Sequence, residues 1–367
     1  MSRYFIGIMS GTSLDGIDIV LADCAPNIPT IVATHYHPYG EETHQALLRL
    51  QTMPSFDVLA KLDNALADLM AEQTLACLKE AEVDPADVVA IGCHGQTVCH
   101  QPILGHSLQL ANAHRIAAKT GIKTVSDFRR ADMAYGGQGA PLTPAFHRLA
   151  FAKSGHARVI VNIGGIANIT LIKADGSVAG FDSGPGNMLL DAWWRQSHGV
   201  GFDIDGAYAQ SGRVQEALLD ALLSESYFQE QPPKSTGREC FNLAWLVKIL
   251  AQFKEGFAKE DVQATLVALT VRSIKDAIDM LTDEPVPIMV CGGGALNGYL
   301  MQCLQTACKG QEVVTSTALG IPPGWVEALA FAWFAKQCID EQPLPLHDIT
   351  GASRDVVAGV IYNPNYR

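Results

Sequence analysis

Two glycine-rich turns, each set between runs of β-branched residues, constrain the fold of this chain more than any other feature. The first contains Gly11 and Gly16, and the second, half a chain later, contains Gly164 and Gly165. Each segment is typical of strand, turn, strand, because glycine tolerates positive φ and lets a ligand approach the backbone closely. A hairpin repeated in this way predicts two related domains that hold an anionic ligand, and a nucleotide phosphate chain is the candidate.

Strand and helix patterns alternate after each hairpin. The predicted strands are 4–8, 17–22, 36–39, 88–91 and 123–126 in the first half, and 158–163, 166–173, 178–182, 288–291 and 312–315 in the second. The predicted helices are 42–52, 55–82, 112–120, 186–194, 264–281, 297–308 and 325–338. Because parallel strands need crossover connections such as helices, each half is predicted to form a three-stranded meander followed by parallel strands.

The predicted domains are 1–145 and 146–367. The boundary is expected near residues 140–150, where the glycine-rich stretch 136–141 supplies flexible chain. The segment 225–241, which contains two adjacent prolines, is predicted to be an insertion or a surface loop.

Composition and net charge limit which classes of protein and which partners fit this chain. Of the 367 residues, 48% are hydrophobic and 17% are charged, which allows a large buried core. The net charge of −12 argues against nucleic-acid and membrane-surface partners, and it means that bound phosphate needs locally placed donors. The sequence shows no signal-peptide pattern and no membrane span, and its nine cysteines form no CxxC pair, so a reduced, cytoplasmic protein is expected.

Seven motifs of six or more residues occur in order along the chain, at 9–16, 92–97, 127–132, 136–142, 162–168, 182–187 and 234–239. Together they resemble the anhydro-N-acetylmuramic acid kinase family, from about residue 4 to 360. The repeated hairpin also resembles the wider actin and hexokinase superfamily, which binds ATP between two domains. The resemblance implies an α/β fold: two related actin-like ATPase (ribonuclease H-like) domains, each a mixed five-stranded sheet flanked by helices, with a cleft between them.

The family resemblance also implies an activity. Members use ATP and Mg²⁺ to phosphorylate 1,6-anhydro-N-acetylmuramic acid on O6 while water opens the anhydro bridge. The product, N-acetylmuramic acid 6-phosphate, belongs to the recycling of bacterial cell-wall peptidoglycan. The resemblance further implies a homodimer that acts on a small amino sugar.

The first turn is the main candidate for the nucleotide phosphates. Its backbone N–H groups and two hydroxyls form a nest suited to phosphate oxygens, and Asp15 is the candidate Mg²⁺ ligand, directly or through water. An ordinary hairpin turn, whose aspartate bonds the local backbone, is the alternative. The residues predicted to bind ATP are Gly11, Thr12, Ser13, Leu14, Asp15, Gly16, Ile17, Asp18, Gly164, Gly165, Gly292, Gly293, Gly294 and Asn297.

The resemblance places the family's catalytic base on Asp182. This residue is predicted to end a strand and precede a helix, whose positive dipole end favours an ionised carboxylate. An ionised carboxylate accepts a proton from water, and water is the group to be activated because the substrate lacks a free 6-hydroxyl. The alternative is that Asp182 only caps the helix.

Polar and charged residues in the matched motifs are predicted to bind the sugar. A planar guanidinium binds a carboxylate through two hydrogen bonds, so Arg129 or Arg130 is expected at the lactyl carboxylate, with a structural salt bridge as the alternative. Glu327 is a second carboxylate candidate, or else a first-turn helix glutamate favoured by the dipole. The predicted set is His94, Gln96, Thr97, Arg129, Arg130, Asp182 and Glu327.

Two other functions fit the same sequence. The first is a non-enzymatic ATP-binding chaperone or filament protein of the same fold, which sugar-independent ATPase activity would favour. The second is a metal-dependent hydrolase built on His94 and His100, which stoichiometric zinc would support. The spacing of these histidines and their neighbours Cys93 and Cys99 matches no common zinc motif.

Overall fold

The computed structural model describes residues 2–364, and for residues 51 and 52 it describes the backbone alone. The chain divides into two compact units. Unit 1 contains the residues up to Ala150 together with those from Trp325 onward, and unit 2 runs from Phe151 to Gly324. No described helix combines the length and the apolar character that a membrane crossing needs.

The strands and helices of the described residues alternate as the sequence predicts. The strands are β1 (Tyr4–Ser10), β2 (Gly16–Asp23), β3 (Thr30–Pro38), β4 (Val88–Gln101), β5 (His106–Leu110), β6 (Thr124–Ser126), β7 (Arg158–Ile163), β8 (Ile166–Ile172), β9 (Val178–Pro185), β10 (Ile288–Cys291), β11 (Val313–Thr315) and β12 (Val360–Tyr362). The helices are α1 (Glu41–Thr52), α2 (Phe56–Glu80), α3 (Ala113–Thr120), α4 (Arg130–Ala134), α5 (Thr143–Phe151), α6 (Asn187–His198), α7 (Ala207–Ser211), α8 (Glu216–Leu223), α9 (Leu243–Leu250), α10 (Lys259–Leu281), α11 (Gly298–Ala307), α12 (Val326–Ile339) and α13 (His347–Thr350).

The sheet of unit 1 has the strand order β12-β6-β4-β1-β2-β3, with β5 paired to β4. The pairs β1–β2 and β2–β3 are antiparallel, whereas β1–β4 and β4–β6 are parallel, as predicted for a meander followed by crossovers. The sheet has seven strands rather than the expected five. Two strands that the sequence pattern did not indicate, β5 and β12, extend it, and β4 continues to Gln101 because its second half pairs with β5.

The sheet of unit 2 has five strands in the order β11-β10-β7-β8-β9. The order matches the central strands of unit 1, with antiparallel β7–β8–β9 and parallel β7–β10–β11. Its central strands are buried on both faces because helices cover the sheet. Buried residues of α10 such as Leu266, Leu269 and Ile274 lie in the same core as Val159 and Val161. The two units therefore share one α/β topology, which confirms the predicted fold class.

The C-terminal residues belong to unit 1, so the predicted domain 146–367 is wrong for the segment that begins at Trp325. Helix α12 lies directly on β1 and β4 at Gly7 and Gly92, which are partners across these two strands. A Cβ at Gly7 would overlap the carbonyl of Ala328, and one at Gly92 would overlap that of Phe331. The two glycines permit a backbone approach that no larger residue allows.

Residues 225–241, predicted as an insertion or surface loop, pack into unit 2. Tyr227 is 4% exposed, Lys234 is 5% exposed and Phe241 is fully buried. Lys234 Nζ lies 4.7 Å from the centre of the Tyr227 ring, so a cation–π contact accompanies the burial of the charge. The two adjacent prolines suggested a surface loop, but the aromatic residues Tyr227 and Phe241 are buried in the core of unit 2.

Candidate active site

The turn between β1 and β2 is supported by buried side chains of unit 1. Ser10 Oγ lies 2.6 Å from Gln96 Oε1 and 2.7 Å from the Tyr39 hydroxyl. Gln96 Nε2 donates to Gly11 O at 3.1 Å and to Thr97 O at 3.3 Å. Gln96 is fully buried, so both ends of its amide tie β4 to the turn. The structure places this predicted sugar ligand beneath the predicted phosphate-binding turn.

The backbone of this turn differs from the glycine pattern in one respect. Its positive φ occurs at Leu14 (φ 59°), whose side chain is fully buried. Gly11 has room for a Cβ, whereas a Cβ at Gly16 would crowd the Tyr36 ring at 2.8 Å. Burial of Leu14 therefore sets the shape of the turn, and Gly16 is required because β3 approaches closely.

Carboxylates border the turn. Ser13 Oγ donates to Asp15 Oδ1 at 2.6 Å. Burial, with added repulsion from Asp15 and Glu327, raises the pKa of Asp18 to about 7. A cation beside Asp15 and Asp18 would relieve that repulsion, and carboxylate oxygens are the ligands that hard cations prefer. Asp18, predicted to bind ATP, therefore lies close enough to the carboxylates of Asp15 and Glu327 to be affected by their charges. Asp15 is the predicted Mg²⁺ ligand, and Glu327 is a predicted sugar ligand.

The partly buried Arg129 and the buried His94 form a pair beside this region of unit 1. Arg129 Nη2 lies 2.8 Å from His94 Nε2, and Arg129 Nη1 donates to Gly139 O at 2.7 Å. Burial and the Arg129 charge lower the pKa of His94 to about 3, so its ring is neutral near pH 7. His94 Nδ1 donates to Gly95 O at 2.8 Å, which leaves Nε2 as the acceptor for Arg129. His94 therefore orients Arg129, and Arg129 holds the 136–141 stretch.

Arg130 has different surroundings. Its guanidinium pairs with both carboxylate oxygens of Asp127, at 2.9 Å and 2.7 Å, and its side chain is 53% exposed. It borders a cavity of about 320 Å³ that is also lined by Asn112 and His114. An exposed ion pair contributes little free energy, so a carboxylate of a ligand can replace Asp127 at little cost.

The end of β4 belongs to a hairpin with β5. Gln109 Nε2 donates to Thr97 Oγ1 at 3.2 Å, and His100 Nδ1 lies 3.1 Å from Ser107 Oγ. Burial and the nearby Arg129 charge lower the pKa of His100 to about 3. Within residues 2–364, no group of three or more His, Cys, Asp or Glu side chains is arranged to hold a metal ion. The histidine-based hydrolase gains no support from this geometry.

In unit 2, the glycine turn between β7 and β8 bonds to the start of α6. Gly186 N donates to Gly165 O at 2.9 Å, Asn187 N donates to Gly164 O at 2.8 Å, and Met188 N donates to Gly165 O at 3.1 Å. A Cβ at Gly186 would overlap Gly164 O. The carbonyls of this turn satisfy the first N–H groups of the helix, which have no partner within the helix itself.

Asp182 lies near the end of β9, opposite Asn168 of β8. The register shifts between Ala167 and Asn168, so Ser183 is an extra residue in β9, a β-bulge of the kind often found beside active sites. Asp182 is 6% exposed, and its Oδ2 accepts a hydrogen bond from Thr236 N at 3.0 Å. The N-cap of α6 is Gly186, so the structure gives no support to Asp182 as a helix cap.

The segment 225–241 surrounds Asp182, a role that sequence reasoning missed. Tyr227 OH donates to Asp182 O at 2.6 Å, and Asp182 N donates to Lys234 O at 3.3 Å. Burial lowers the pKa of Lys234 and, with the charge of Asp182 adding to it, raises that of Tyr227. The usable signal was the motif 234–239, which contains the residue that bonds the Asp182 carboxylate.

The third glycine run follows β10 and packs against β7. Gly292 has φ 81°, and a Cβ there would lie 2.7 Å from Asn162 Oδ1. A Cβ at Gly294 would overlap Ile163, whereas Gly293 has room. Asn297 Oδ1 accepts from Leu300 N at 3.0 Å and so caps α11. The run therefore brings backbone of unit 2 close to β7, and only Gly293 is not required by that packing.

Known proteins match the chain over its whole length. The model of the family described as "Anhydro-N-acetylmuramic acid kinase" matches residues 3–364. A protein of that name from Saccharophagus degradans is 45% identical over 98% of this chain and 99% of its own length. A protein of the same name from Nitrosomonas europaea is 46% identical over 98% of this chain and 99% of its own length. Among solved structures, component A of the (R)-2-hydroxyglutaryl-CoA dehydratase of Acidaminococcus fermentans aligns over 91% of this chain and 97% of its own, with 14% identity and a TM-score of 0.49.

The matched range includes both glycine turns and the segment 225–241. The chain belongs to the anhydro-N-acetylmuramic acid kinase family of sugar kinases.

Proposed function

We propose that this enzyme converts 1,6-anhydro-N-acetylmuramic acid, ATP and water into N-acetylmuramic acid 6-phosphate and ADP, with Asp182 as the base. The observation that carries the proposal is the position of Asp182. It is buried beside a β-bulge, and one of its carboxylate oxygens is bound by the backbone N–H of Thr236. That hydrogen bond fixes the direction of the carboxylate, as a general base requires.

The reaction is one coupled displacement. Asp182 takes a proton from water, the water oxygen bonds to C1, and the bond between C1 and O6 breaks. The electron pair released on O6 attacks the γ-phosphorus of ATP, and the bond from that phosphorus to the ADP oxygen breaks. Proton, electron pair and leaving group are then all accounted for. The base acts on water because O6 is already bonded to C1 and has no proton to lose.

The first turn is the proposed site of the ATP phosphates in unit 1. Its support by Ser10 and Gln96 holds the backbone N–H groups in one arrangement, which suits a phosphate-binding nest. Asp15 and Asp18 have the oxygen ligands that Mg²⁺ prefers. Burial, with added repulsion from Asp15 and Glu327, raises the pKa of Asp18, and a bound cation would relieve that repulsion. When bound, Mg²⁺ supplies charge neutralisation for the phosphates.

Arg130 is the residue that we propose for the lactyl carboxylate. Arg129 is committed to His94 and Gly139, whereas Arg130 is half exposed and borders the 320 Å³ cavity. An Arg130→Met variant is expected to raise KM for the sugar and to leave KM for ATP unchanged.

A cytoplasmic homodimer is also part of the proposal. The homodimer is supported by the family resemblance alone and is tested by light scattering on the purified protein. The cytoplasmic location is inferred from the nine cysteines, which form no CxxC pair, and is tested by cell fractionation.

The proposal is tested by measuring ADP release with and without 1,6-anhydro-N-acetylmuramic acid. We expect ADP release to require the sugar, and mass spectrometry to find a product heavier than the substrate by one water and one phosphoryl group. ADP release at the same rate without the sugar would instead support the ATP-binding chaperone or filament protein. N-acetylglucosamine, which lacks the anhydro bridge, serves as the control sugar and is expected to leave ADP release at the background rate.

A further inference from the structure

A row of polar side chains crosses the sheet of unit 2 and ends at Asp182. Asn162 of β7 is the partner of Asn168 of β8, and Asn168 is the partner of Asp182 of β9. Directly opposed residues on neighbouring strands project to the same face, with Cβ atoms about 4.5–5.5 Å apart. All three are more than nine-tenths buried, with exposures of 1%, 8% and 6%. Asn168 is therefore the nearest neighbour of the proposed base across the sheet.

Asn168 differs from the two residues that flank it. Asn162 Oδ1 accepts a hydrogen bond from Cys291 Sγ at 3.5 Å, and Asp182 Oδ2 accepts one from Thr236 N. Asn168 Oδ1 is buried, and no donor among the described residues bonds to it. Buried acceptors almost always have a partner, and leaving one without a partner costs free energy. A retained acceptor of this kind indicates a partner that comes from outside the chain.

We infer that Asn168 is a positioning residue for the attacking water, an inference that rests on the proposed function. A water molecule between two acceptors donates one hydrogen to each. With one hydrogen on the Asp182 carboxylate and the other on Asn168 Oδ1, the water has its lone pairs directed away from both, where C1 of the sugar has to lie. Asp182 then removes the water proton to which it is hydrogen-bonded. Asn168 keeps the remaining O–H of the water in place while the water oxygen bonds to C1.

The first test is Asn168→Leu, which keeps the approximate shape of the side chain and removes its acceptor. Because the acceptor has no partner among the described residues, the midpoint of urea unfolding is expected to stay unchanged or to rise. Loss of the water position is expected to lower kcat about 10²-fold, since small misplacements at the reacting atoms have effects of this size. KM for ATP is expected to stay within twofold of the wild type. Wild-type kcat in Asn168→Leu overturns the inference.

A second variant separates positioning from a structural role. Asn168→Asp keeps an acceptor at the same place and adds a negative charge beside Asp182, which opposes ionisation of the base. Tyr227 and Lys234 also lie against this end of β9 and are unchanged. Activity is expected to return toward the wild type at high pH, with the acidic limb of the kcat profile moved to higher pH. If Asn168→Leu does not fold, Asn168→Asp provides the test instead. A pH profile of kcat that matches the wild type contradicts the inference.

Thr170→Val is the matched control. Thr170 lies two residues along β8, on the same face as Asn168, and is fully buried. Its variant loses a buried hydroxyl and is expected to keep the wild-type kcat and pH profile, and an equal fall in both variants contradicts a specific role for Asn168. Failure of the proposed function gives a different result, because the wild type then makes no sugar phosphate and none of these comparisons is reached.

Discussion

The two glycine turns occupy equivalent places in the same strand order, yet their backbone groups have different partners. In unit 1 the turn rests on Ser10 and Gln96 side chains and is bordered by Asp15 and Asp18. In unit 2 the carbonyls of the turn bond to the start of α6. In unit 1 the shared topology thus holds a turn that side chains support and that we propose for phosphate. In unit 2 it fixes a helix beside the strand that carries the proposed base.

The largest effect is expected for Asp182→Asn, a variant that changes only unit 2. Asp182→Asn keeps an oxygen that can accept from Thr236 N but removes the basic carboxylate. If Asp182 is the base, kcat falls by at least about 10²–10⁴-fold. Because the turn proposed to bind phosphate belongs to unit 1, the dissociation constant for ATP, measured by calorimetry, is expected to be unchanged. A variant that turns over at the wild-type rate rules out Asp182 as the base.

A pair of glycine variants compares the two turns directly. Gly186→Ala places a Cβ against Gly164 O, and such overpacking is expected to lower the free energy of unfolding by about 1–3 kcal/mol. The Cβ of Gly11→Ala would meet Ser13 Oγ at an ordinary contact distance of 3.5 Å, so the variant is expected to change the free energy of unfolding by less than about 0.5 kcal/mol. Urea unfolding measures both. Equal losses in the two variants would mean that the turns are packed alike.

Gln96→Met tests the support beneath the first turn. The variant removes the partners of Gly11 O and Ser10 Oγ, so we expect a loss of about 1–2 kcal/mol in stability. KM for ATP is expected to rise several-fold, because the turn is no longer held, while KM for the sugar changes less. Gln73→Met, which breaks a contact with His35 elsewhere in unit 1, is the matched control. A rise confined to the KM for the sugar would return Gln96 to the role of a sugar ligand.

The smallest expected effect concerns the carboxylates of the first turn. The pKa of Asp18 is raised from 3.8 to about 7 in the folded protein, so folding favours its protonated form. That contribution to stability is complete below about pH 4 and is lost as pH rises to about 7. The stability difference between Asp18→Asn and wild type is therefore expected to shift in favour of the variant over this range. The depressed pKa values of His94 and His100 act on both proteins equally and cancel in the difference.

Much of the fold is visible in the sequence because it depends on local pattern. Alternating strands and helices predicted the shared strand order of both units. The assignment of α12 to unit 1 was not predictable in this way, since it depends on the approach of a distant helix to Gly7 and Gly92. The second half of β4 also escaped prediction, because its apolar pattern ends at Ile91 and pairing with β5 decides the rest.

The sequence indicates the candidate site residues that lie in motifs. It does not indicate those whose role depends on buried contacts in the folded protein. The resemblance implies Asp182 as the base and the glycine pattern indicates the first turn, but the sequence alone does not distinguish Arg129 from Arg130. Their separation depends on the neutral His94 acceptor and on Asp127, neither of which composition or spacing reveals. In the sequence Asn168 is only the last residue of the motif 162–168, and its position opposite Asp182 depends on the register of β8 and β9.

The most direct test of the account is a single turnover in ¹⁸O-labelled water, stopped early and analysed by mass spectrometry and phosphorus NMR. The account predicts one labelled oxygen in the sugar phosphate, at C1, and none bonded to phosphorus, because water opens the bridge and O6 receives the phosphoryl group. Unlabelled product held in the same water for the same time corrects for exchange at C1. Label bonded to phosphorus, in the product or as inorganic phosphate, would show that water attacks ATP and would contradict the account.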